Sequence, residues 1–170
     1  FNDPATNEIY LFPYTTLPDL LIPGLEISRH EPYGHHNAIF LKDISAFAFW
    51  DNNSKAPLDT LASYRIAASQ KAFLFWNHPW TMPPFWKPDK ASEWTAAQDT
   101  IYGNGWLGGI EVVNGRRYDP VAHRFCIEKK LTMLGNTDLH NLSAYEYDTF
   151  NGGHRPMTLV FAREDRKSVV

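Results

Sequence analysis

Hydrophobic positions fall into short continuous runs separated by longer amphipathic stretches. Six runs predict strands: LLIPGLEIS (20–28), NAIFL (37–41), AFLFWNH (72–78), GIEVVN (109–114), LTMLGNT (131–137) and MTLVFA (157–162). The third, fourth and fifth are unbroken rather than alternating, the form of strands covered on both faces. Helical patterns lie between them. Pro57 opens LDTLASYRIAASQK; Ser92 stands as a cap before EWTAAQDTIYG, with Trp94, Ala97 and Ile101 on one side and Gly103 at the end. Asp119–Pro120 is a cap followed by a first-turn proline, leading into VAHRFCIEKK with Val121 and Phe125 together. The most irregular piece, PWTMPPFWKPDKAS (79–92), reads either as a stiff surface connection or as a lid.

Alternation of buried strands with helices predicts an α/β chain with a parallel sheet or a βα barrel. In such folds functional groups gather at the C-terminal ends of strands. That rule places Glu26, His78, Asn114 and the pair Asp138 and His140 at one mouth. On an extended chain Asp138 and His140, two apart, share a face. GHHNAIFL reverses the pattern, because His35 and His36 precede their apolar run. A strand running antiparallel to its neighbours still brings one of them to the site. Adjacent strand residues face opposite ways, so one of the two is expected to be a ligand and the other not.

Composition narrows the chemistry. The 170 residues suffice for one domain with a core but are short for a complete α/β barrel. Six Trp, eight Tyr and eleven Phe point to a core of large side chains or to a cleft lined by rings. Net charge is −3 with scattered Lys and Arg, which leaves no nucleic-acid footprint, and no apolar stretch approaches the ~20 residues of a membrane span. The single cysteine, Cys126, lies in a helical pattern and reads as an inert core thiol. Glu26, His35, His78, Asp138 and His140 form a nitrogen and carboxylate set without thiolates, which suits zinc, manganese or iron. There is no G-x-S-x-G, no phosphate-cradling glycine loop ending in Lys-Ser/Thr and no H-E-x-x-H.

Taken in order, IPGLEIS, GHHNAIF, FWNHP, GIEVVNG and GNTDLH resemble the polymerase and histidinol phosphatase (PHP) domain. GNTDLH is similar to that family's Gly-Ser-Asp-x-His signature, with Asn136–Thr137 standing before Asp138. The resemblance is greatest to predicted PHP-like metal-dependent phosphoesterases, in which GH-x-NAIFL, FWNHP and R-x-MT-x-VFA recur; RPMTLVFA (155–162) fits the last. It implies a single, incomplete PHP-like metallohydrolase domain over residues 1–170. The implied fold is a partial distorted (βα) seven-stranded barrel, TIM-barrel-like and lacking its N-terminal strands, with up to three divalent metal ions (Zn, Mn or Fe) at the strand C-termini. In that frame Glu26 bridges two ions, His35 and His78 complete the second, Asp138 binds the first and His140 the third. Asn77, Glu111 and Asn114 take supporting or substrate-facing roles. Family members begin with Asp-x-His-x-His and, some tens of residues later, Thr-Asp-His or Thr-Glu-His. Neither occurs here. Together with a start at Phe1 and a stop at KSVV, this predicts a piece of a longer protein.

The implied activity is hydrolysis of a small-molecule phosphoester by a metal-activated water, with Asp138 and His140 at the catalytic centre. Arg155, His154 and Asn77 are expected to bind the substrate, although NGGHRP also reads as a surface turn. Trp80, Phe85 and Trp86, folded over the mouth, would suit a flat or sugar-like substrate. Two other readings stay open: a metal-dependent hydrolase of another bond such as an amide, and a non-catalytic domain that binds carbohydrate or peptide through its tryptophans.

Overall fold

FLFW is too apolar and too short to do anything but lie inside a sheet, and its neighbours set the direction of everything else. The computed structural model describes residues 22–28, 33–47, 59, 61–80, 92–140, 143–148, 151, 153 and 155–159. Its strands are β1 (Gly24–Ser28), β2 (His35–Ile39), β3 (Phe73–Trp76), β4 (Leu107–Asn114), β5 (Arg117–Tyr118) and β6 (Thr132–Asn136). The helices are α1 (Ala62–Ser69), α2 (Ala96–Gly103), α3 (Pro120–Lys129) and the single turn α4 (Ser143–Glu146).

The sheet is mixed rather than parallel. β2 is antiparallel to both β1 and β3, whereas β3, β4 and β6 run parallel. β6 takes one edge of β4 from Gly109 to Asn114; β3 takes the other only as far as Ile110, which leaves Val113 and Asn114 to pair with β5. The result is a six-stranded open sheet, and the described strands do not close into a barrel. This direction of β2 is the one the GHHNAIFL pattern requires. MTLVFA is not a strand over 157–159, although the Thr158 hydroxyl donates to the Gly135 carbonyl of β6 at 3.2 Å; the rest of that run lies outside the described residues.

Two helix starts show why local chemistry decides boundaries. α3 begins as its sequence predicts, with the Asp119 carboxylate accepting from the N–H groups of Val121 (2.8 Å) and Ala122 (3.0 Å) and Pro120 behind it. α2 does not begin at Ser92, whose hydroxyl instead donates to Asp119. Thr95 caps it, accepting from Ala97 N–H, while the Gln98 side chain reaches back to Thr95 N–H. That reciprocal pair is a capping box.

One face of the sheet carries the core. Ile27, Ala38, Leu74, Trp76, Ile110 and Val112 pack there with Tyr64 and Ala67 of α1, Ile101 of α2 and Ala122 and Cys126 of α3. Cys126 is buried and unbridged, and burial pushes its thiol up to about 11, so the thiol is inert as expected. Trp76 and Trp80 are buried, and Arg117 stacks over Trp80 with its guanidinium 4.9 Å from the ring. Trp94 and Trp106 lean on the core. The four described tryptophans are thus packing residues; Trp50, Phe85 and Trp86 lie outside the described residues.

Candidate metal centre

Strand alternation delivers the site to the face opposite the core. Ile27 and His36 are register partners on the core side, so Glu26 and His35, each one residue away, turn to the other. They are diagonal neighbours across β1 and β2, the separation that long side chains close. The Glu26 Oε1 and His35 Nδ1 atoms lie 3.0 Å apart. The Ser28 hydroxyl donates to the same carboxylate at 2.7 Å, and the Asn77 amide donates to Oε2 at 3.3 Å. His78, two residues past β3, brings its ring 5.1 Å from that of His35, edge to face. One ligand atom from each of Glu26, His35 and His78 lies within 4.8 Å of the others.

The remaining candidates are placed less centrally. Asp138 Oδ2 stands 3.9 Å from His78 Nε2, at the border of the cluster. The chain there is not extended: Asp138 has φ of 53°, and the face-sharing argument for Asp138 and His140 does not apply once the strand has ended at Asn136. His140 turns back on its own loop, with Nδ1 2.7 Å from the Asp138 carbonyl. A carbonyl only accepts, so Nδ1 donates and Nε2 keeps its lone pair. Arg155 is exposed and lines a groove of about 360 Å³ with Asn136, Thr137 and Thr158, beside the β6 end that leads to Asp138. His154 lies outside the described residues.

Electrostatics favour a cation. Glu26 is held at about 2, chiefly by its hydrogen bond with His35 and further by Ser28, against an opposing effect of partial burial. His78 is pushed below the usual histidine range by burial, with Asp138 pulling the other way, which favours the neutral ring a metal requires. Two imidazoles and one carboxylate already face one another within 4.8 Å, and small side-chain adjustments reach the ~3.4 Å ligand–ligand spacing of a tetrahedral zinc site. The buried Asn77 Oδ1, which meets no hydrogen-bond donor among the described residues, marks the same region as underfilled. The residues present fit a transition metal.

His36, on the reverse face, is fully buried, with Nδ1 3.1 Å from the Tyr64 hydroxyl and its ring stacked on Trp76 at 6.3 Å. It packs where the ligand reading of His36 would need it to be open. Sequence reasoning passed over Ser28, although its place two residues after Glu26 on a strand was the available signal. It gave Glu111 a vague supporting role; the structure shows a carboxylate 2% exposed, its Oε2 accepting from His78 N–H at 2.6 Å and from Asn114 Nδ2 at 3.0 Å. Asn136 Nδ2 faces the same carboxylate but falls short of hydrogen-bond geometry. Burial pushes Glu111 up, opposed by these donors.

No protein-family model matches the chain. No curated protein matches it either. Among solved structures it is similar to a two-domain protein from Bacteroides vulgatus that contains a predicted PHP-like metal-dependent phosphoesterase, with 38% identity and a TM-score of 0.73. The match covers 95% of this chain and 43% of that one, so the chain spans less than half the length of its relative. With that identity along nearly its whole length, and with the motifs from IPGLEIS to GNTDLH gathered at one end of a single sheet, the chain belongs to the PHP-like family.

Proposed function

We propose that the chain forms the metal-holding part of a phosphoesterase that hydrolyses small-molecule phosphoric esters. The observation that carries this reading is the convergence of Glu26, His35 and His78, with Asp138 beside them, where three parallel strands end and an antiparallel one begins. The fold proposed for the intact domain is the family's distorted seven-stranded barrel, of which β1, β2, β3, β4 and β6 supply a contiguous arc.

A divalent zinc, manganese or iron ion held there supplies Lewis acidity and a water acidified toward neutral pH. The protein's own groups do the rest. Glu26 stays anionic far below neutral pH, so both its oxygens serve cations throughout the physiological range. His35 and His78 offer ring nitrogens, the latter favoured in its neutral form by burial, and Asp138 adds a second carboxylate on the β6 side. His140, with Nδ1 donating to the Asp138 carbonyl, keeps the Nε2 lone pair with which it would hold a further ion. Arg155 meets the phosphoryl oxygens with a guanidinium fork from the groove next to Asp138.

The test is turnover by the natural full-length protein with added Zn²⁺, Mn²⁺ or Fe²⁺. p-Nitrophenyl phosphate, its bis-ester and a p-nitroanilide are offered in parallel. Phosphate-ester hydrolysis that is lost with chelator and in Asp138→Asn is expected. Anilide hydrolysis alone, or ester hydrolysis indifferent to chelator, would overturn the reading.

A further inference from the structure

The β-ladder stops one residue short of the site. Asn77 N–H still donates to the His35 carbonyl at 2.9 Å, as a strand residue would. At His78 the backbone swings to φ of 27°, a left-handed conformation that a residue with a Cβ rarely adopts without support. Its N–H donates to Glu111 Oε2 on the adjoining strand at 2.6 Å. Glu111 is buried, lies on β4, and is not one of the three groups whose ligand atoms converge.

The carboxylate is itself held in place. Three residues on, Asn114 would ordinarily face away from Glu111. A bulge between Glu111 and Val113 resets the alternation, and the Asn114 amide comes round to donate to the same Oε2 at 3.0 Å. The bulge, Asn114, Glu111 and the His78 amide thus form one chain of contacts that ends at a metal ligand.

We infer that Glu111 is a positioning residue: by accepting the His78 N–H it fixes the turned backbone that aims the His78 ring at His35, Glu26 and Asp138. The inference rests on the metal-site reading for its consequence but not for its geometry. Glu111 acts here as a hydrogen-bond acceptor and neither as a ligand nor as a counter-charge, so glutamine, whose amide oxygen can accept both bonds, replaces it.

The experiment compares Glu111→Ala, Glu111→Gln and Asn114→Ala by two readouts. One is amide hydrogen exchange at His78 in metal-free protein, with Trp76 and Ile110 as internal references. The other is Zn²⁺ affinity by competition with a chromophoric chelator. Glu111→Ala is expected to speed His78 exchange about tenfold or more with the references unchanged, and to weaken zinc binding by about 10–100-fold. Glu111→Gln should keep both within about threefold of the natural protein. Should Glu111→Ala fail to fold, Asn114→Ala decides, with about a 3–10-fold loss of zinc affinity expected. A His78 amide that stays protected in Glu111→Ala overturns the inference. So does zinc binding in Glu111→Gln as weak as in Glu111→Ala, which would make the carboxylate a ligand or charge partner. If the natural protein bound no zinc while His78 protection still depended on Glu111, the metal reading would fall and the positioning role would stand.

Discussion

Adjacent histidines with opposite duties give a sharp test of the strand geometry. His36 is fully buried, its ring edge-on to Tyr64 at 5.2 Å and stacked on Trp76 at 6.3 Å. His36→Ala empties a ring-sized space in the core and takes the imidazole away from the Tyr64 hydroxyl. Truncating a buried ring costs about 3 kcal/mol. For a chain of this size about 2–4 °C of melting temperature goes with each kcal/mol, so a fall of about 6–12 °C is expected. His35 is half-buried at the edge of the site, and its contact with Glu26 is worth about 1 kcal/mol or less. His35→Ala should therefore melt within about 4 °C of the natural protein in chelator. Its zinc affinity, by contrast, should fall by more than the ~100-fold that loss of a mere outer partner can cost. The assays are thermal melting by circular dichroism with chelator and zinc competition without it. If His36→Ala lost the metal with unchanged melting while His35→Ala melted early and kept it, the register Ile27–His36 and everything built on it would be wrong.

Three further outcomes follow from single contacts. Glu26 is depressed from 4.5 to about 2 in the folded chain, so its stabilising effect is complete above pH 4.5 and disappears as pH falls through 2. The full shift would be about 3 kcal/mol, but a side chain 37% exposed is screened to about 1 kcal/mol. Acid titration of Glu26→Gln in chelator should lack that decline between pH 4.5 and 2, and a decline identical to that of the natural protein would refute the assignment. A Cβ on Gly109 would stand 2.5 Å from Leu134 Cδ1 and 2.9 Å from the Thr132 carbonyl, whereas one on Gly103 would meet nothing within 4 Å. Gly109→Ala should cost about 1–3 kcal/mol by overpacking and Gly103→Ala should gain about 0.5 kcal/mol, read from urea midpoints. Arg155 is exposed, so Arg155→Ala should leave melting unchanged while raising KM for p-nitrophenyl phosphate about tenfold; an unchanged KM removes Arg155 from the site.

The sequence disclosed those parts of the fold that depend on near neighbours. Asp119–Pro120 announced α3 because a cap acts over three residues. Thr95–Ala–Ala–Gln98 announced α2 with equal clarity, yet Ser92 was the expected cap; its hydroxyl is drawn off by Asp119, 27 residues away, which no local pattern records. The strand β4 begins at Leu107 rather than Gly109 because Leu107 already pairs with Leu74 of β3, a contact between strands. β5 was missed although Asn114–Gly115, with Gly115 at φ of 57°, is a hairpin signal. Antiparallel β2 was legible from the order of His and apolar residues, whereas the openness of the sheet was not, since closure depends on long-range pairing.

The site divides along the same line. Glu26, His35 and His78 were readable because period-two alternation and strand ends are local rules, and the structure brings them together. The relation of Asp138 to His140 was misjudged because the chain turns left-handed at Asp138, beyond the reach of any strand rule. Glu111 received only a supporting or substrate-facing role, from its place in the GIEVVNG motif. Its tie to His78 exists only because β3 and β4 lie side by side and a bulge returns Asn114 to it.

The central claim is that Glu26, His35 and His78 bind a transition metal, and metal content tests it most directly. The 170-residue chain, purified without chelator, is assayed for metals by mass spectrometry and for folding by circular dichroism. About one tightly held transition ion per chain is predicted, falling to a small fraction in His78→Ala with the fold intact. A folded natural chain that carries no metal, and takes up none when zinc, manganese or iron is supplied, would contradict the account.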